Sequence, residues 1–277
     1  MRVLIDGREA DPNTASVSVF DWGVVRGDGC FEALRSYDGV AFAVDAHLDR
    51  LWNSASVLGM ESQLPERGDL VDWITTTAAD GGNCIVRVIA TRGGNDSRVE
   101  APPRLIVFWE QLPELPDSMT LAEISAPWHP GGFPWDLAGV KGLSYGPNMA
   151  SVRMAKAAGF DDAVLISREG LMLEGPTNSI GWVVDGVVET PSLDLGILSS
   201  ITRSVMLVAA ADLGIEVREV RKSTSRLADA QEFFILSTVK EVMPITRVGS
   251  YSFDVGPVTK RLRTAFRDRV ETELHSI

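Results

Sequence analysis

Two residue types in this chain could do covalent and electrostatic chemistry on a small molecule. One is Lys141, set among apolar neighbours in Val140-Lys141-Gly142-Leu143; the other is Glu174, in Leu173-Glu174-Gly175-Pro176. A lysine in a poorly solvated place loses part of its preference for the charged form, and the neutral amine is a nucleophile. Glu174 follows a short apolar run and precedes a Gly-Pro break, which lets its carboxylate project into a site. Taken alone, the same pair also reads as a surface lysine and a turn glutamate.

These groups need elements to position them. Residues 3–5 and 17–20 read as short strands. Arg26-Gly27-Asp28-Gly29 is a Gly-rich turn entering a strand on which Phe31, Ala33 and Arg35 share one face. Asp45 predicts an N-cap for a helix with the apolar stripe Leu48, Leu51, Ala55 and Leu58, closed by Gly59. A second helix is expected over 70–79. Strands at 84–91 and 104–109 then flank a polar loop running from Arg92 to Arg98. Leu112-Pro113-Glu114-Leu115-Pro116-Asp117-Ser118 is the clearest linker, so domains are expected over 1–111 and 119–277, joined by 112–118.

Beyond the linker, a strand near 121–125 leads to an irregular aromatic loop, Trp128 to Trp135, which suits surface packing or a pocket lid. After Lys141 a helix starts about Pro147 and stops at Gly159. Residues 163–167 read as a strand, and Asp185-Gly186 joins strands at 180–184 and 187–190 in a type I′ hairpin. Ser199-Ser200-Ile201-Thr202-Arg203 opens a helix ended by Gly214, and a helix N-terminus is a natural anion seat. Strands are expected at 217–220 and 232–237, and an amphipathic closing helix at 257–274.

Several of these segments together resemble the class IV aminotransferases, the fold-type IV pyridoxal-phosphate enzymes. That family holds branched-chain and D-amino-acid aminotransferases, (R)-amine transaminases and aminodeoxychorismate lyase. The resemblance runs from about Asp6 to Pro244. It rests on Gly27-Asp28-Gly29-Cys30-Phe31-Glu32, His47-Leu48-Asp49-Arg50-Leu51, Lys141 with Tyr145 and Asn148, residues 158–163, Glu174-Gly175, and Thr238-Val239-Lys240-Glu241-Val242-Met243-Pro244. It implies an α+β, two-domain fold, with a small N-terminal α/β domain and a larger, β-rich C-terminal domain carrying the lysine.

The resemblance also implies roles. Lys141 would hold pyridoxal 5′-phosphate as a Schiff base and Glu174 would pair with the pyridine nitrogen. Arg50, the amides of Ile201 and Thr202, and the Thr238 hydroxyl would hold the phosphate. Leu198 would lie against the ring, with Tyr145 tuning the imine or shaping the pocket. Arg26, Phe31, Ala33, Arg35, Arg87 and Arg98 are the substrate-pocket candidates, Arg98 or Arg87 taking a carboxylate. The partners implied are an amino acid or amine donor and a 2-oxo acid. Transamination, pyruvate release as in aminodeoxychorismate lyase, and ligand binding without catalysis all start from this constellation. Two positions depart from the family pattern: Ser200 stands where glycine is usual, and Ser179 where asparagine is usual, with Asn178 one place earlier.

Composition narrows the alternatives. The chain has 277 residues, 45% hydrophobic and 23% charged, as in ordinary globular proteins. A net charge of −12 argues against a nucleic-acid backbone as partner. Two cysteines, Cys30 and Cys84, make no disulfide framework, and three histidines in no metal-like spacing give no zinc site. No apolar run approaches the ~20 residues of a membrane span. The expected protein is therefore a cytoplasmic one, a homodimer by the resemblance, with no metal, membrane or nucleic acid involved.

Overall fold

The computed structural model describes residues 1–96 and 99–275, so Arg98 lies outside the described residues. The chain forms two compact units, Met1–Pro113 with Val140–Tyr145, and Glu114–Gly139 with Gly146–Ile277.

The first unit contains β1 (Val3–Ile5), β2 (Arg8–Ala10), α1 (Trp22–Arg26), β3 (Gly29–Tyr37), β4 (Val40–Ala41), α2 (Val44–Val57), α3 (Arg67–Gly81), β5 (Cys84–Thr91), β6 (Gly94–Asp96), β7 (Val99–Ala101) and β8 (Arg104–Gln111). Its main sheet runs β2-β1-β8-β5-β3-β4 with every pairing antiparallel. Strand alternation decides its two faces. Cys30, Leu34, Val86, Val88 and Val107 point to one side, where they are buried with Leu48, Leu51 and Ala55 of α2 and Leu70, Ile74 and Ala78 of α3. Each such large apolar side chain contributes about 1.5–3 kcal/mol on full burial. Phe31, Ala33 and Arg35 alternate onto the other, half-buried side of β3, and Arg87 of β5 lies opposite Ala33 in register.

Local signals mislead in three places. Residues 17–20 form no strand, and Val19 and Phe20 are exposed. The chain instead turns into α1, capped by Asp21, whose side chain accepts from the Gly23 N–H. Asp45 is not the N-cap of α2; that position is Ala43, in the left-handed region at φ 55°. Asp45 sits in the first helical turn, where a carboxylate suits the helix dipole and pairs with Arg67. The polar loop after Arg92 carries the β6–β7 pair.

Residues 140–145 group with the first unit, although the linker places Lys141 on the other side of the boundary. Backbone pairing is the reason. The Phe31 N–H donates to the Lys141 carbonyl at 3.0 Å, the Leu143 N–H to the Gly29 carbonyl at 2.9 Å, and Cys30 and Gly142 form an antiparallel bridge. The segment thus joins the edge of β3 through one isolated bridge and two backbone hydrogen bonds.

The second unit contains β9 (Met119–Ser125), α4 (Gly146–Ala157), β10 (Asp162–Ile166), β11 (Ser179–Val184), β12 (Val187–Pro191), α5 (Ile201–Asp212), β13 (Val217–Val220), β14 (Glu232–Ser237), β15 (Glu241–Val248), β16 (Tyr251–Ser252) and α6 (Pro257–Leu274). Its sheet runs β10-β9-β15-β14-β11-β12-β13, with β16 on β15. The β9–β10, β9–β15 and β12–β13 pairs are parallel. Trp182 stacks on Phe233 at 6.2 Å in its core. The β11–β12 hairpin turns through Asp185 at φ 51° and Gly186 at φ 79°, both left-handed as a type I′ turn requires. No helix among the described residues is long and apolar enough to cross a membrane.

Gly29 tests how the lysine segment is seated. A Cβ there would meet the Ala90 carbonyl oxygen and approach Leu143 Cδ1 at 2.6 Å. Gly29→Ala should destabilise the protein by about 1–3 kcal/mol, read as a thermal midpoint lower by several degrees in circular dichroism. An unchanged midpoint would show that β3, β5 and residues 140–145 are not held this close.

Candidate active site

In the first unit, the pairing of residues 140–145 with β3 brings Lys141, Phe31 and Tyr145 together. The Lys141 Nζ lies 4.6 Å from the centroid of the Phe31 ring and 5.8 Å from that of Tyr145. The two rings meet edge to face at 5.1 Å. Lys141 is half-buried, and its backbone N–H donates to Ser54 Oγ at 3.2 Å. An amine bounded by aromatic faces keeps electrostatic support for its charged form while losing water, which suits a group that must alternate between ammonium and nucleophile.

Beside it lies a charge cluster of which Arg50 alone has a role in the sequence reading. Glu32, next to Phe31 on β3, points to the core face and has a side-chain exposure of 0%. Arg50 of α2 donates to it twice, Nε to Oε1 and Nη2 to Oε2, both at 2.7 Å. His47 Nδ1 sits 2.8 Å from Glu32 Oε2. Burial alone would raise the Glu32 value, but the hydrogen bonds from Arg50 and His47 outweigh it and hold the carboxyl at about 2. Burial, above all, lowers the His47 value, aided by the charges of Arg50 and Lys141. His47 is therefore neutral near pH 7 and donates its Nδ1 proton. The Phe-Glu pair after Gly-Asp-Gly was the only sequence signal for Glu32.

Among the described residues, the three other arginine candidates of this unit are engaged. Arg26 is exposed, its guanidinium over the Trp22 ring at 4.6 Å. Arg35 stacks on Tyr37 at 4.6 Å, and Arg87 Nε donates to Glu110 at 2.8 Å. A cavity of about 480 Å³, lined by Trp22, Gln63, Arg92 and Pro103 among others, contains none of the candidate residues.

The second unit brings Glu174 and Leu198 together. Backbone bonds with Leu165 of β10 hold Leu173 and Glu174 in an extended segment, and Glu174 Oε2 accepts the Leu198 N–H at 3.2 Å. His129, a residue without a role in the sequence reading, stands on the other carboxylate oxygen at 3.4 Å. Its place in an irregular loop gave no periodic signal.

Ile201 and Thr202 open α5, whose N-cap Ser200 accepts the Arg203 N–H at 3.2 Å. The first amides of a helix have no intrahelical partner, so they are free to meet an anion. Thr238 lies in the β14–β15 turn. The turn is anchored by Lys240, whose Nζ reaches Asp162 Oδ2 at 2.7 Å, where Asn178 Nδ2 also donates at 3.1 Å. At the departing position, the buried Ser179 hydroxyl has no hydrogen-bond partner among the described residues.

The Glu32 cluster gives a pH-dependent prediction. The folded value of about 2 lies below the ordinary 4.5, so its contribution to stability is full above about pH 4.5 and fades as the pH falls toward about 2. Glu32→Gln should cost about 3–5 kcal/mol at pH 7, because it leaves Arg50 without its buried partner. Denaturant midpoints of the two proteins should converge in acid. A constant gap from pH 7 to pH 3 would contradict the ionised, ion-paired Glu32.

The family model for class IV amino-transferases matches residues 29–248. A Methanocaldococcus jannaschii protein, provisionally named a branched-chain-amino-acid aminotransferase, is 32% identical, covering 97% of this chain and 96% of its own. The aminodeoxychorismate lyase of Bacillus subtilis is 26% identical, over 99% of this chain and 96% of its own. The structure of a fold IV-transaminase from Curtobacterium pusillum superposes with a TM-score of 0.87 at 30% identity, covering 96% of this chain and 92% of that one. With its α+β architecture and a match over most of its length, the chain belongs to the class IV aminotransferase family.

Proposed function

We propose that this protein is a pyridoxal-phosphate-dependent transaminase that moves an amino group between an amino acid or amine and a 2-oxo acid, with Lys141 as its covalent anchor and catalytic base. The observation that carries the reading is the Lys141 amine, half-buried between the Phe31 and Tyr145 rings on the edge of β3. The donor set fits the cofactor. An amine is present for its aldehyde, a carboxylate for its pyridine nitrogen, and helix-terminal amides with a fixed guanidinium for its phosphate.

In this reading Arg50, Ile201, Thr202 and Thr238 hold the phosphate, and Leu198 and Tyr145 bound the ring. When bound, the cofactor supplies a conjugated electron sink for the pair of electrons left at the substrate Cα. Lys141 Nζ would be the base that accepts the proton from the substrate Cα. Glu174 presents an anionic oxygen to the pyridine nitrogen. Glu32 and His47 keep Arg50 from swinging away, which fixes the orientation of its guanidinium. A homodimer in the cytoplasm is part of the same proposal, supported by the family resemblance, and light scattering tests the assembly.

The Bacillus subtilis relative keeps the lyase as a second reading. Single-turnover spectra decide. Mixed with an amino donor and no acceptor, the purified protein should lose its imine absorbance in proportion to enzyme, and a 2-oxo acid should restore it. Conversion of aminodeoxychorismate to pyruvate and aminobenzoate, with no donor changing the spectrum, would establish the lyase instead. A coloured protein that does neither would be a ligand-binding protein.

Three variants separate the roles. Lys141→Ala should abolish both the imine absorbance and turnover. Glu174→Ala should retain cofactor but lose activity by about 10²-fold or more, the scale for losing one electrostatic stabiliser. Arg50→Ala should weaken cofactor binding, measured by titrating the apoprotein. Full activity of Glu174→Ala, or unchanged binding in Arg50→Ala, would remove that residue from the scheme.

A further inference from the structure

His129 shows its two ring nitrogens to different partners. Nδ1 accepts the Gly131 N–H at 3.2 Å, so the neutral ring carries its proton on Nε2. Nε2 faces Glu174 Oε1 at 3.4 Å, while Oε2 accepts the Leu198 N–H at 3.2 Å. The two side chains are only 9% and 16% exposed, which leaves little room for water to replace either donor.

The loop that carries His129 is itself fixed. The His129 N–H donates to the Ala126 carbonyl at 3.0 Å, and the Gly132 N–H to the Leu195 carbonyl at 3.0 Å. Gly196 allows Pro130 to close on it, since a Cβ there would stand 2.6 Å from the proline Cγ. One loop, tied by these bonds, therefore brings the His129 ring nitrogen to within 3.4 Å of the carboxylate oxygen that the Leu198 amide leaves uncovered.

We infer that His129 is a positioning residue for Glu174, holding the carboxylate in the single rotamer that presents it to the pyridine nitrogen. The inference rests on the assignment of Glu174 to that nitrogen. A carboxylate has about four acceptor sites, so the Leu198 N–H and the close His129 ring nitrogen still leave capacity for a further N–H. Without His129, Oε1 loses the ring nitrogen that faces it at 3.4 Å. The side chain can then rotate about the bond that the Leu198 amide alone does not lock.

Two substitutions divide this role from a purely structural one. Asn at 129 can still accept the Gly131 N–H near the Nδ1 position but does not reach Glu174. Gln can place an amide N–H near the Nε2 position but gives up the bond within the loop. Each variant is reconstituted with pyridoxal phosphate labelled with ¹⁵N in the ring, whose nitrogen shift reports its protonation. Donor half-reaction rates are measured in parallel.

His129→Asn should move the ring ¹⁵N signal toward its unprotonated value and slow the half-reaction about tenfold, the scale of one hydrogen bond to a charged group, with the donor concentration at half-saturation little changed. His129→Gln should stay near wild type on both readouts. The inference is overturned if His129→Asn matches wild type, or if both variants are equally impaired. Glu174→Gln is the control for the underlying reading: if it leaves the ¹⁵N signal in place, the pyridine assignment of Glu174 falls first.

Discussion

A carboxylate with no solvent exposure lies on the core face of β3, and the first unit is arranged so that it can stay there. An isolated buried charge would cost several kcal/mol, far more than a single strand residue could offset. Glu32 is tolerated because Arg50 meets both its oxygens and His47 donates a further proton. All three partners are locked to known elements, β3 on one side and α2 on the other. The ion pair therefore sets where α2 sits on the sheet, and with it the direction in which the Arg50 guanidinium faces. A guanidinium held this way has a fixed plane and direction.

The second constraint is geometric and concerns glycine. Gly29 lets β5 approach β3 and lets residues 140–145 pair on the opposite edge, where the Leu143 N–H reaches the Gly29 carbonyl. Gly27, at φ 68°, lies against Ser144, which donates to its carbonyl at 3.1 Å. The Gly-Asp-Gly turn thus does more than start a strand. It makes space for the backbone that carries Lys141, and the ring of Phe31 then bounds the amine. In the second unit the corresponding work is done by the extended segment beside β10 and by the first turn of α5, which fix Glu174 and a set of unpaired amides.

The candidate substrate-facing side chains differ from these anchors in what they touch. Among the described residues, the candidate Arg87 is bonded to Glu110, and Arg35 stacks on Tyr37. The swapped pair Asn178-Ser179 also has a structural counterpart. Asn178 turns inward to Asp162, which also holds Lys240, so the altered position is tied to the turn that carries Thr238.

Long periodic segments were legible in the sequence because their information is local. The apolar stripe of α2, the alternation of β3, the Asp-Gly hairpin and the capped start of α5 all follow from residue spacing and turn chemistry. The lysine, the glutamate and the phosphate-binding candidates were legible for another reason: several separated motifs occur in a recognisable order. Residues 17–20 and Asp45 were misread because a β-prone run and a capping residue are only local preferences, and the Asp21 cap and the left-handed Ala43 override them. Three things only the tertiary structure decided. Residues 140–145 pair with β3 from across the linker, Glu32 is ion-paired in the core, and His129 faces Glu174. Each joins groups far apart in the chain through hydrogen bonds or close polar contacts whose partners no spacing rule specifies, so the contact exists only once the sheets have formed.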